Sequence, residues 1–240
     1  DRSILERLGV SESDLRRLLE VVAYGVHQDG GGGSLPSFDS GTVLTVARRD
    51  LKLRGVDYDA LIESLGQRSG VLYERQEEEL QFVHRSFQEH LAACHLAITG
   101  FPAQFLNHLR ANPVLWKEVS DLLPAEARRA GKDVWEMVKA VLPKDAAPLP
   151  VDSPEWHAIR YVGGLLLDTL PADDDRQEIY RPRLQKRLVE AVTLGVLTPV
   201  ERAEMGRQLS RVGDPRPGVG LRPDGLPDID WVTIPSGEFI

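Results

Sequence analysis

The chain has a single cysteine, Cys94, in 240 residues. A lone thiol forbids an internal disulfide, and such sparse cysteine usage suits a reducing cytosol. Basic excess is missing as well: 29 Lys and Arg face 37 Asp and Glu, for a formal charge of −8. Residues 1–100 carry 11 basic and 16 acidic side chains, and residues 101–240 carry 18 and 21. Neither half is therefore a basic nucleic-acid surface. No run of about 18 apolar residues occurs, so no membrane partner is expected and the location is read as cytoplasmic. Aromatics are only 6%, yet 42% of the chain is hydrophobic and 28% charged, which is enough for a core. That balance excludes a disordered tail or a collagen-like rod, and the length fits one large or two ordinary domains.

No phosphate loop is present. Gly30-Gly31-Gly32-Gly33 lacks the strand, helix and lysine that a phosphate cradle needs, and reads as a flexible loop. Gly131-Lys132 is followed by Asp133 and has no upstream glycine at the required spacing. No initiator precedes Asp1, and the chain stops in the hydrophobic pattern Gly237-Glu238-Phe239-Ile240, so the sequence reads as a piece of a longer protein.

What is there is mostly helix. Ser11 with Asp14 is a weak capping box, followed by Leu15, Leu18, Leu19, Val22 and Val26 on one stripe. The β-branched run Thr42–Val46 reads as a strand. Residues 47–53 read as a short helix and Asp57 opens another, ending near Gly66 or Gly70. Residues 71–75 and 80–83, across a polar loop at 76–79, make a hairpin. This order of elements is that of a winged helix. A helix over 86–98 comes next. Asn112-Pro113 then starts one that Pro124 should close. Val134, Val138 and Val141 form a further stripe, and four prolines within 143–154 mark a linker or sub-domain boundary. Ser153-Pro154 restarts a helix through Ile159, Val162 and Leu166, and another runs through Leu184, Leu188 and Val192 to Gly195. Thr198-Pro199-Val200-Glu201 is a full capping box. The expected fold class is mainly α: a winged helix with a small hairpin, a helical region, and an extended C-terminal linker.

The segment from Leu80 to Ala93 carries the most chemistry. Phe82 should face the core, Phe87 and Leu91 follow one helical turn apart, and His84 lies at the strand-to-helix corner. A histidine beside a helix N-terminus can strengthen a phosphate site. On residue chemistry alone, a corner histidine bonded to a backbone carbonyl is the simpler reading. Phe82, His84, Ser86, Phe87, Gln88, Glu89, Leu91, Ala92 and Ala93 nevertheless stand in the register F-x-H-x-[ST]-F-Q-E-[YF]-L-A-A. This resembles the end of the winged-helix region in NACHT-family signal-transducing NTPases, with Gly70-Val71-Leu72 similar to a preceding element. The match covers about residues 1–100 and departs at His90, where the family has an aromatic. The resemblance implies that His84 contacts the β-phosphate of ADP and holds the protein closed. ADP or ATP with magnesium would sit on an upstream nucleotide-binding domain. This piece lacks that domain's phosphate loop and should not itself be an enzyme.

At the other end, residues 228–239 alternate like a half-buried edge strand, with Pro235 unable to donate to a ladder. Trp231, Val232, Ile234, Pro235, Gly237, Glu238 and Phe239 resemble the opening of the formylglycine-generating-enzyme family, whose fold is related to C-type lectins; Ser236 is a small substitute. The two resemblances imply three segments: 1–100, a NACHT-type winged helix; 101–212, helical; 213–240, a linker and the first strand of a lectin-like domain. The partners they imply are the upstream nucleotide-binding domain and the downstream lectin-like domain of the same chain, with homo-oligomeric assembly on activation. The implied role is transmission between nucleotide state and a C-terminal sensor, in bacterial defence signalling. The alternative is a helical interaction scaffold.

Other groups read as structural. His90, Cys94 and His95 lie on one helix, where three ligands cannot close a tetrahedron, so no metal site is expected. Asp173-Asp174-Asp175 lacks the spacing of a calcium loop. Trp116, Trp135 and Trp156 read as core. A DNA-reading helix at 57–68 would present Asp57, Asp59 and Glu63 against one Arg68, beside a wing bearing Glu77, Glu78 and Glu79. DNA binding is therefore disfavoured.

Overall fold

The computed structural model describes residues 8–30, 35–67, 70–222, 224–229, 231–235 and 237. The chain divides into two compact units, Asp1–Val134 and Trp135–Ile240. The segment boundary expected near residue 100 thus falls inside the first unit.

The first unit opens with α1 (Glu12–Asp29), capped by Ser11, whose hydroxyl accepts the Asp14 N–H at 3.1 Å. Its apolar stripe buries Leu18, Val22 and Val26. Gly30 closes the helix by donating to the Val26 carbonyl, whereas residues 31–33 of the glycine run lie outside the described residues. Next come β1 (Ser37–Asp39), α2 (Ser40–Thr45) running on into a π-turn at Val46–Asp50, and α3 (Tyr58–Gln67). The hairpin strands β2 (Leu72–Gln76) and β3 (Glu79–Phe82) follow. β3 lies in the middle of an antiparallel sheet, with Phe38 opposite Leu80 and Leu72 opposite Phe82. Helix, strand, two helices and a hairpin, with the strands in the order β1-β3-β2, make a winged helix.

Two local expectations differ. The strand expected at 42–46 is helical, and the first strand is the shorter Ser37–Asp39. Asp39 stops that strand and caps α2 by accepting the Gly41 N–H, and the helical turn puts Val43, Val46 and Ala47 together on the buried side. Core burial overrides the β preference of a β-branched run. The hairpin loop is also tighter than four residues. Glu77 and Glu78 make the turn, and a register shift between Glu74 and Gln76 absorbs the rest. Glu78 takes a left-handed φ of 63° there, and its carbonyl accepts the Ser40 N–H at 2.8 Å, tying the wing to α2.

Beyond β3 lie α4 (Arg85–Thr99), α5 (Ala103–Ala111) and α6 (Lys117–Arg129). α4 packs against both α1 and α6. Asn112 accepts the Leu115 N–H at 3.1 Å, capping a turn that precedes α6. Pro124 does not end that helix. It sits buried inside it, with Leu123 and Ala127 also buried. An interior proline costs about 3 kcal/mol, so burial of this face has to outweigh the lost hydrogen bond.

The second unit contains α7 (Trp135–Val141), α8 (Glu155–Gly164) with a π-turn at Leu165–Thr169, α9 (Arg176–Leu194) and α10 (Pro199–Val212). The proline-rich stretch expected as a linker or sub-domain boundary is held within this unit, just after its start at Trp135. Arg183 donates to the Leu142 carbonyl, Arg187 to the Ala147 carbonyl, and the Trp156 indole to the Pro150 carbonyl at 2.8 Å. Gly195 ends α9 at φ 66°, a left-handed cap that other residues adopt at a cost. The capping box at Thr198 and Glu201 is complete. Trp116, Trp135 and Trp156 are all buried, as their helical positions suggest.

The C-terminal strand is not formed among the described residues. Residues 231–235 have no ladder partner, and Trp231, Val232 and Ile234 are exposed side by side. An extended run becomes a strand only when a second strand satisfies its backbone groups. The ordered feature nearby is a turn in which the Asp228 carboxylate accepts the Gly218 N–H and pairs with Arg222.

Phe82 is fully buried beside Phe38, with ring centroids 5.7 Å apart. Phe82→Ala should cost about 3–5 kcal/mol, whereas Thr198→Ala should cost about 1 kcal/mol. Urea unfolding of both variants checks the ranking; an equal or smaller loss at Phe82 contradicts this core.

Candidate functional site

His84 lies where the winged helix turns into α4. Phe82 anchors the end of β3, and Val83 continues the pairing by donating to the Val71 carbonyl at 2.9 Å. His84 keeps extended backbone angles, φ −136° and ψ 143°, and occupies the N-cap of α4 without a side-chain capping bond. Its carbonyl accepts the Phe87 N–H at 3.1 Å. His84 is an exposed residue, and its ring centroid stands 6.0 Å from that of Phe87. Val83 and Phe87 are exposed as well, so the histidine belongs to a small partly apolar exposed stretch.

The rest of the motif points inward. Gln88, Glu89, Ala92 and Ala93 are buried, and Leu91 packs against the winged-helix core. Arg85 pairs with Glu89 at 3.0 Å one turn on, and burial raises the Glu89 pKa. The Gln88 Oε1 is buried without a hydrogen-bond partner among the described residues. The patch could meet an anionic group at a helix start, since the first N–H groups of a helix lack intrahelical acceptors.

His90, Cys94 and His95, grouped by sequence, separate in space. His95 turns to α1 and stacks on Tyr24, with centroids 4.5 Å apart. His90 and Cys94 instead meet Glu126 of α6. Cys94 Sγ lies 3.7 Å from His90 Nε2 and 3.6 Å from Glu126 Oε2, and His90 Nδ1 lies 3.8 Å from Glu126 Oε1. Burial and the nearby Glu126 charge push the Cys94 thiol up to about 11. Sequence reasoning missed Glu126 because only the pairing of α4 with α6 brings position 126 beside position 94.

The wing and α3 carry the acidic residues expected there. Asp57, Asp59, Glu63, Glu77 and Glu78 are exposed, while Arg68 lies outside the described residues. The Arg48 guanidinium covers the Tyr58 ring at 4.4 Å.

The chain matches no family model, no curated protein and no solved structure.

Elsewhere in the first unit, three histidines gather around Tyr24 and Trp116. His108 stacks on Trp116 at 4.3 Å and bonds the Tyr24 hydroxyl at 2.7 Å. His27 meets Trp116 edge-on and bonds the Leu115 carbonyl at 3.2 Å. Burial lowers His27 and His95 from 6.5 to about 4, and lowers His108 as well. At His27 and His95 the unfolded chain takes up a proton near pH 6.5 while the folded state refuses it until about pH 4, and burial shifts His108 in the same direction. Stability is therefore full above pH 6.5 and is lost as pH falls toward 4. Melting temperatures across that interval should fall more steeply for the native chain than for His27→Gln; parallel curves contradict the assignment.

Proposed function

We propose that the chain is the transmission segment of a NACHT-type NTPase switch, coupling nucleotide state to a C-terminal sensor or binding domain in bacterial defence signalling. The observation that carries this reading is exposed His84 at the N-cap of α4, with Val83 and Phe87 also exposed. An upstream nucleotide-binding domain docks on that patch in its ADP state. The imidazole then hydrogen-bonds a phosphate oxygen while the apolar neighbours exclude water. Exchange to ATP with magnesium moves the phosphates, breaks this contact and frees the winged helix for assembly. The chain binds no nucleotide by itself and is not an enzyme, since it contributes one ligand and no phosphate loop.

The exposed run Trp231, Val232 and Ile234 supports the other half of the reading. Three exposed apolar side chains close together in sequence suit a strand that pairs with a downstream lectin-like domain of the formylglycine-generating-enzyme type. A helical interaction scaffold is the second reading, favoured by the same apolar patch around His84. It predicts a docking role without nucleotide contact.

In the protein carrying the upstream domain, His84→Ala should loosen ADP retention about 10-fold, roughly the worth of one charge-assisted hydrogen bond, and raise basal activity. Nucleotide retention after gel filtration measures it. Unchanged retention with weakened domain docking selects the scaffold instead.

A further inference from the structure

Helices α4 and α6 bring three donor types to one point: an imidazole, a thiol and a carboxylate, from His90, Cys94 and Glu126. We propose that these residues form a zinc site with one coordination position open to solvent.

The spacing fits. With Zn–S bonds of about 2.3 Å and Zn–N and Zn–O bonds of about 2.0–2.1 Å, neighbouring ligand atoms in a tetrahedron stand about 3.4–3.6 Å apart. Cys94 Sγ is 3.7 Å from His90 Nε2 and 3.6 Å from Glu126 Oε2, so the second sulfur edge has that length and the first is about 0.1 Å longer. All the ligating atoms lie within 4.8 Å of one another. Closing the remaining edge needs a rotation of His90, whose side chain is 40% exposed. His90 and Cys94 share a helix face one turn apart, and Glu126 comes from the facing helix. The third ligand is thus supplied across a helix pair, which one helix could not do alone.

The surroundings position the carboxylate. Arg129 Nη1 donates to Glu126 Oε1 at 2.6 Å, leaving Oε2 turned to the sulfur. Such anchoring of a ligating carboxylate is what metal sites use to orient their donors. Charge also balances. On binding, Cys94 releases its thiol proton to solvent, and one thiolate with one carboxylate neutralises a divalent cation beside a neutral imidazole. The remaining neighbour is Arg16, whose Nη2 lies 3.7 Å from Sγ while its Nε bonds Glu20 at 3.0 Å. Its side chain is 61% exposed, so it can withdraw toward Glu20 as zinc takes its place. Cys94 and Glu126 are buried while the His90 side chain is 40% exposed, which leaves the fourth position to a water on the His90 side. A thiolate, imidazole and carboxylate set is borderline-soft, which favours zinc over calcium or magnesium.

The reduced 240-residue chain, stripped with chelator, should take up one equivalent of zinc in a competition titration. Cobalt(II) in the same site should show a thiolate-to-metal charge-transfer band together with tetrahedral d–d absorption. Cys94→Ser should abolish the charge-transfer band, and His90→Ala and Glu126→Gln should each weaken zinc by about 10-fold or more. Lack of stoichiometric uptake, a cobalt spectrum without the thiolate band, or zinc affinity unchanged in Cys94→Ser would overturn the site. Circular dichroism verifies folding of each variant. If Cys94→Ser does not fold, His90→Ala decides, because its half-exposed ring carries little of the packing; unchanged affinity there also overturns the proposal.

Discussion

The first unit depends on the burial of one helix between two others. α4 presents Ala92, Ala93, Leu96 and Ala97 to its neighbours, and all four are essentially inaccessible. Small side chains let α1 and α6 approach it closely, so dispersion contacts accumulate along the whole helix. A methylene added to such a face has nowhere to go, since packed interiors leave few voids. The helix start is equally constrained, because Phe82 fills the sheet side of the corner and fixes where α4 begins.

That constraint explains why the motif at 82–93 divides into inward and outward groups. With Phe82, Gln88, Glu89 and the alanines committed to packing, the helical repeat leaves His84 and Phe87 on the free side. Farther along, the same repeat turns Cys94 toward α6 and His95 toward Tyr24. An exposed histidine and a buried polar cluster thus follow from one register. A shift by one residue would destroy both.

The second unit uses a different device. Its proline-rich stretch has few backbone donors and no secondary structure, yet it is ordered by long side chains reaching out from α9. Arg183 and Arg187 cap the Leu142 and Ala147 carbonyls, and the buried Trp156 holds Pro150. Guanidinium forks are well suited to this, since one side chain can serve two acceptors: Arg187 also pairs with Glu190 at 2.6 Å. Composition alone therefore reads as a linker or sub-domain boundary what the fold treats as a strapped segment.

Local chemistry is legible along the chain wherever donor, acceptor and apolar period agree. The caps at Ser11 and Thr198, the hairpin, the stripe of α1 and the glycine closing α9 are of that kind, because each involves residues within a few positions of one another. The exposure of His84 was only partly legible: the corner could be placed, but not which side of it solvent would occupy. Tertiary structure alone made Thr42–Val46 helical, carried α6 through Pro124, and set Glu126 against His90 and Cys94. In each case the deciding energy is burial against a distant element, which no short window of sequence contains.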